Sequence, residues 1–270
     1  MVNDTSITDT YDEAVSVLPV SVRLALWATA AYSGQLRVED VSDRAHPDID
    51  HVVGDLDHLS TWHDLGERAV LVALPRPGNL SGMPRGSPEL IAAATEAGEC
   101  VYVPSLGGAL VPAFEHFGPA GDRGTQVTWT AYDCDPVPTH TLEALSLNEI
   151  ELRLRQDLLE ATARIDALDI KPWNAMLRSL ADDLDVSVWG LPSGLPRRAQ
   201  SVMATAAQIG VATDLGLSIY AESQVLTSQL TEQRRRLLTD LSAIADTAMA
   251  SAATVAALWM AGLRPGHHDL

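Results

Sequence analysis

Lysine is almost missing from this chain: Lys171 stands alone, and every other fixed positive charge is an arginine. Walker-type phosphate binding is thereby excluded and Schiff-base chemistry is not expected, since each needs a suitably placed lysine. Codon usage in a GC-rich genome accounts for such a bias without any functional cause. Cysteine is as scarce. Cys100 and Cys134 are the only two, too few for a disulfide framework or a complete cysteine zinc site, and a reduced cytosolic pair is the default.

Positive charge as a whole is short. The 18 Lys and Arg face 36 Asp and Glu, which leaves a formal net charge of -18 and a pI near 4.6. A polyanion is held by neutralising its phosphates, so nucleic acid is not an expected partner. Long apolar runs are lacking too. The one stretch of membrane-spanning length, residues 243–263, is alanine-rich and carries Asp246 with several hydroxyls. It reads as a buried helix, and no membrane association is expected. The opening residues Val2-Asn3-Asp4-Thr5 lack the basic and apolar segments of a secretory leader, so a cytoplasmic location is the expectation. No GxSxG elbow, Gly-rich dinucleotide fingerprint, HExxH or paired CxxC occurs. No catalytic residue and no cofactor is assigned.

What the chain does have is a change of hydrophobic rhythm at Ser146. Before it, short β-rich runs such as 69–74 and 127–132 sit among Gly and Pro; after it, almost everything repeats at helical spacing. The fold class expected is α+β: an N-terminal α/β sandwich with a mixed sheet of at least four strands, over 1–140, then a C-terminal helical bundle over 141–270.

In the first half, Pro19 opens a helix that Gly34 ends. Two short helices are expected next, 37–45 and a second from Pro47 carrying Ile49, Val52, Val53, Leu56 and Leu59 at helical spacing, before a strand over 65–74. Three helices and a strand also describe a winged helix-turn-helix. The recognition helix would then present Asp48, Asp50, Asp55 and Asp57 with no Lys or Arg from Pro47 to Leu65, which argues against DNA and for a small helical cap. Ser87, Pro88, Glu89 and Gly98 mark the ends of the next helix. The strand at 100–103 follows in an order that fits a βαβ crossover, so it and 69–74 are expected to be parallel. Extended runs at 107–114 and 125–132 complete the sheet, the latter with Val127, Trp129 and Ala131 on one face.

In the second half, Ser146-Leu147-Asn148-Glu149 has the form of a capping box, and an apolar stripe follows from Leu147 to Leu168. Pro172 and Pro196 start two more helices, the first carrying Trp173, Met176, Leu177, Leu180 and Leu184. The last helix is the longest, with a seam through Leu237, Leu241, Ile244, Ala248, Ala252, Val255 and Trp259. That seam suits a homodimer as well as a bundle.

The best candidate site is the loop with Arg76, Asn79, Ser81 and Arg85. It joins a strand end to a helix N-terminus, where backbone amides and two arginines can hold an anionic small molecule. A surface loop whose arginines pair with the many acids is the ordinary alternative. Asp133-Cys134-Asp135 matches the short DxD pattern by which two carboxylates share a divalent metal, with Glu115, His116 and His140 as neighbours; Pro136 and Pro138 give the same segment the look of a domain linker. His46, His51, His58 and His63 form no metal pattern and read as packing or exposed histidines. Arg234-Arg235-Arg236 reads as a solvated helix face, or as a patch for an acidic partner.

At Leu74-Pro75-Arg76-Pro77-Gly78 and Trp129-Thr130-Ala131-Tyr132-Asp133-Cys134-Asp135-Pro136-Val137-Pro138 the chain resembles conserved proteins of high-GC Gram-positive bacteria. The resemblance covers most of the chain and implies a bacterial cytoplasmic setting, with no activity, ligand or site residue attached. The first functional expectation is therefore a non-enzymatic interaction protein, its α/β half offering a ligand or partner surface and its helical half dimerising. The second is an enzyme acting on an anionic small molecule, with Arg76 and Arg85 orienting it and Asp133, Asp135 or His140 supplying metal or acid–base functions.

Overall fold

The computed structural model describes residues 18–119, 122–167, 190–222 and 229–264. The helix expected from Pro172 to Leu184 lies outside them. In chain order the elements are α1 (Val20–Tyr32), a 3-10 turn (Val38–Asp40), α2 (Val41–Ala45), β1 (His51–Gly54), α3 (His58–Asp64) and β2 (Leu71–Ala73). There follow α4 (Pro88–Ala97), β3 (Cys100–Val103), β4 (Gly108–Phe117), β5 (Gly124–Asp133) and α5 (Thr139–Glu143). Three long helices close the described chain: α6 (Leu147–Ala167), α7 (Arg197–Glu222) and α8 (Gln229–Met260). The class is α+β, as the rhythm change predicts.

The sheet is mixed and has five strands in the order β1-β5-β4-β3-β2; β1 runs parallel to β5 and every other pair is antiparallel. Two sequence expectations are corrected here. Residues 47–59 are not one helix. Val52 and Val53 suit a strand as well as a helix, and backbone pairing decides between them. His51–Gly54 pairs with residues 126–129, and the amides of Asp50 and Asp55 donate to Thr125 and Trp129 carbonyls. The same two aspartates turn their carboxylates onto β5, accepting from the amides of Thr125 and Ala131 at 2.8 Å each. Gly54 ends the strand at φ +100, where a Cβ would stand 2.1 Å from the Trp129 carbonyl oxygen. Only glycine fits that approach.

The second correction concerns β2 and β3, which are antiparallel, with Ala73 opposite Cys100. A strand, loop, helix, strand order implies a parallel crossover only when the helix itself makes the return. Here the loop over 74–87 carries the chain away and α4 brings it back to the end it left. The rest of that stretch follows the expected punctuation: Ser87 Oγ accepts from the Leu90 amide and Gly98 closes α4 at φ 72.

One buried apolar cluster runs through both halves, from Leu24, Leu71 and Trp129 to Met203, Ala252 and Val255. α1 is buried almost all round; only Trp27 and Tyr32 are not fully enclosed. α8 packs against α1, β2, α6 and α7. Its segment Arg235–Met260 is long and apolar enough to cross a membrane, yet 72% of the apolar window is buried inside the protein.

Lying under α1 and α8, β2 is an edge strand without water to satisfy its free side. Helix hydroxyls do it instead. Thr29 Oγ1 accepts from the Val70 amide at 2.9 Å and donates to the Val70 carbonyl at 3.2 Å; Thr254 Oγ1 donates to the Val72 carbonyl at 3.4 Å. Burying those groups unpaired would cost more than the bonds themselves contribute. Thr29→Val keeps the side-chain shape and strands both Val70 groups. We expect a loss of about 1–3 kcal/mol, seen as a lower urea midpoint at unchanged slope, with Thr29→Ser recovering most of it. An unaltered midpoint in Thr29→Val would remove the capping role.

Candidate functional site

The loop after β2 begins with a tight hairpin. Arg76 and Asn79 exchange both amide-to-carbonyl bonds at 2.8 Å across Pro77 and Gly78, and Gly78 sits at φ 86. Proline second and a left-handed glycine third are what a type II turn requires. This turn lies against α8. Arg76 Nε donates to Asp246 Oδ2 at 2.7 Å, and Asn79 Nδ2 donates to Thr247 Oγ1 at 3.1 Å. Asn79 Oδ1 in turn accepts from the amide and hydroxyl of Ser81.

Arg76 is thus committed to carboxylates. Burial works against its charge, but the hydrogen bond and charge of Asp246, with Asp214 and Glu99 farther off, outweigh it and raise its pKa. Burial in turn raises Asp246 against the pull of Arg76. Asp214 keeps much of its surface in solvent, but protein atoms crowd its carboxyl and raise it too, Asp246 adding and Arg76 opposing. One acid touches the guanidinium and two more act on it from a distance. An incoming anion would have to displace Asp246 and face the other two.

Arg85 does not join Arg76. Its side chain is exposed, and its carbonyl accepts from the Asp135 amide at 2.6 Å while Gly86 bridges to Cys134. Residues 134–137 are held on the other side as well, Cys134 by Gly107 and Val137 by Pro104. A free linker is therefore the wrong picture for this segment. Asp133 and Asp135 are exposed, and among the described residues no three His, Cys, Asp or Glu converge on a metal position. Glu115 and His116 are far from them: Glu115 pairs with Gln126 while Asp133 pairs with Gly108, a separation of about 24 Å at strand rise. His140 is exposed on α5.

Beyond the hairpin lies a groove of ≈ 490 Å³. Asn79 and Ser81 form one end, the first turns of α6 one wall and α8 the other. Its floor is apolar, with Ile150, Leu154, Ile244 and Ala248; its rim carries Glu149, Arg153 and Asp157 from α6 and Thr247 and Ser251 from α8. The volume suits a small ligand. Of the residues the sequence offers as ligand or metal groups, only Asn79 and Ser81 reach it; Glu149, Ile244 and Ala248 stand out there for capping and packing alone. The signal that would have pointed there is in the alanine seam: Asp246 is the one charge between 241 and 263, and Thr247 and Ser251 are its hydroxyl neighbours at helical spacing.

His46, His51, His58 and His63 each pack against an aromatic ring. His51 stacks on Phe117, His58 lies edge-on to Trp62 and His63 is tilted against Tyr32. His46 is buried between two partners, with Nδ1 2.8 Å from the Ser42 carbonyl and Nε2 accepting from Trp129 Nε1 at 3.1 Å. Those bonds require the neutral ring with its proton on Nδ1. Burial, with Arg23 adding and the Ser42 bond opposing, pulls its pKa below 6.5. Burial raises the Cys134 thiol to about 11, with Asp135 and Asp133 adding, and lifts Cys100 higher still. Neither thiol is a ready nucleophile near neutral pH. Arg235 and Arg236 share Glu232, whose carboxyl their hydrogen bonds hold at about 2.

Family models described as the N-terminal and the C-terminal domain of the Rv1486c-like protein match residues 21–143 and 148–250. No curated protein and no solved structure matches the chain.

Two measurements check these assignments. Arg76→Ala strands Asp246 and should cost about 1–3 kcal/mol in urea unfolding, whereas Arg85→Ala should stay within about 0.5 kcal/mol; equal losses would contradict the contrast. For His46 the unfolded chain binds the proton first, so the contribution of the ring is complete above pH 6.5 and shrinks as pH falls through 6.5 toward the lower folded value. The stability gap between the wild type and His46→Gln should therefore narrow from pH 8 to pH 5. A gap that stays constant or widens would show that the ring is not held neutral.

Proposed function

We propose, for a chain that belongs to the Rv1486c-like protein family, a non-enzymatic role as a cytoplasmic interaction protein of bacteria, of the high-GC kind that the sequence resemblance implies. The observation that carries this reading is the make-up of the groove between the hairpin at Arg76, α6 and α8. It pairs an apolar floor with a polar rim, and among the described residues its lining holds no histidine, cysteine or lysine. Such a surface can recognise a ligand through apolar contact and through the charges on its rim. Away from the groove, Arg76 is spent on Asp246 and His46 on Trp129.

The helical half supplies the second element of the proposal, a homodimer contact. Leu152 and Leu159 on α6 are 56% and 72% exposed, and seven residues place them on one side of the helix, two turns apart. Large apolar side chains grouped this way favour a partner surface.

Both elements are open to measurement. Sedimentation at increasing concentration should give a dimer that Leu152→Glu with Leu159→Glu turns into a folded monomer. A thermal-shift panel of nucleotides, phosphorylated metabolites, carboxylates, short peptides and divalent metals should contain at least one compound that raises Tm with concentration, an effect that Ser251→Phe abolishes by filling the groove. A monomer at every concentration that responds to no compound, or turnover of any compound in the panel, would sink the reading.

A further inference from the structure

Three charged residues of α6 face the groove in one row, Glu149, Arg153 and Asp157. They stand at four-residue steps, the spacing at which acid and base on a helix ordinarily pair. None of them pairs. On the same helix, at the same spacing, Glu151 and Arg155 do, at 2.5 Å, and Glu151 also holds Arg198 at 3.1 Å. The row turned to the groove leaves its charged heads open while the row turned away closes, so the difference is one of surroundings and not of sequence spacing.

Opposite that row, the α8 wall and the hairpin carry no net charge on the groove. Thr247 already donates to the Ala243 carbonyl and accepts from Asn79, and Asn79 is spent on Ser81 and Thr247. Ser251 completes the wall, and Leu154, Ile150, Ile244 and Ala248 lie below. The charge read along the groove is therefore negative, positive, negative, over an apolar floor. A simple anion would meet Arg153 but sit between two carboxylates; a simple cation would meet a carboxylate with a guanidinium beside it. A zwitterion satisfies both signs at once.

Spacing narrows the class. Four helical residues rise about 6 Å, and an extended peptide advances about 3.3–3.6 Å per residue. The ammonium and carboxylate of a dipeptide are thus separated by about one step of the row, whereas those of a free amino acid are too close together. We propose that the groove between α6 and α8 binds a short zwitterionic peptide of two or three residues. Its carboxylate is held by Arg153, its ammonium by Glu149 or Asp157, and an apolar side chain rests on Leu154 and Ile244. This rests on the reading of the groove as a ligand site and gives that site its ligand class.

Leucyl-leucine is the probe, titrated by calorimetry into the full chain beside its N-acetyl form and its C-terminal amide. Binding should weaken about tenfold or more for either capped form and for Arg153→Gln with the free dipeptide. Arg155→Gln, on the other side of α6, should leave it unchanged. The Glu149→Gln, Asp157→Asn double variant should erase the preference for the free amine over the acetylated form while keeping the preference for the free carboxylate. Binding indifferent to capping or to Arg153→Gln overturns the proposal. So does no binding of the dipeptide when another compound raises Tm through a response that Ser251→Phe removes; that result leaves the groove a ligand site of a different class. A chain that answers to no compound at all loses both readings.

Discussion

A β-strand edge buried under helices is the constraint on which this architecture rests. Strand β2 has β3 on one side only, and the helices that cover its other side are α1 and α8. An α-helix has no spare backbone groups along its length to offer a strand. The edge is tolerable because Thr29 and Thr254 stand where their hydroxyls meet Val70 and Val72. This requirement ties residues about 180 positions apart, Val72 to Thr254, and explains why the helical region does not sit apart from the sheet. Arg68, donating to the Ala261 carbonyl at 2.6 Å, and Arg76, on Asp246, extend the same seam at either end.

The ligand groove is a by-product of that seam. With α8 fixed along β2, the hairpin at Arg76–Asn79 is pinned to its side and α6 packs along it; the space left among the three is the groove. Polar groups at the seam have been taken up by structure, and the charges that line the groove belong to α6. An electrostatic division of labour follows. Arginine and aspartate near the strands lock elements together, while those on the outer wall stay available.

Much of the fold could be read from residues with a local physical meaning. Ser87, Pro88 and Gly98 bound a helix because capping is local, and Val127, Trp129 and Ala131 alternate because a strand has a period of two. Where the sequence misled, the deciding partner was remote. Val52 and Val53 fit a helix until β5 offers its edge, and the acids around them speak only against DNA until Asp50 and Asp55 are seen holding β5 amides. The sequence offers the loop of Arg76 and Arg85 as one anion site, but its arginines diverge because one finds Asp246, some 170 residues away. Glu149 stands out in the sequence only as the end of a capping box, and Arg153 and Asp157 not at all: by spacing alone they are indistinguishable from the paired row beside them.

Strand β1 has a further consequence, in the order of events during folding. It lies early in the chain, yet its only strand partner is β5, about 75 residues later. The antiparallel pairs from β2 to β5 join near neighbours in sequence, and such contacts close fastest. His51–Gly54 must therefore wait, unpaired, until the meander has formed, and throughout that interval β5 offers a bare rim to any other extended segment. The two aspartates bracketing β1 then act as a register key. Acceptors must be spaced as those of Asp50 and Asp55 are to reach the amides of both Thr125 and Ala131, so the two carboxylates fix which residues of β1 come to stand opposite β5.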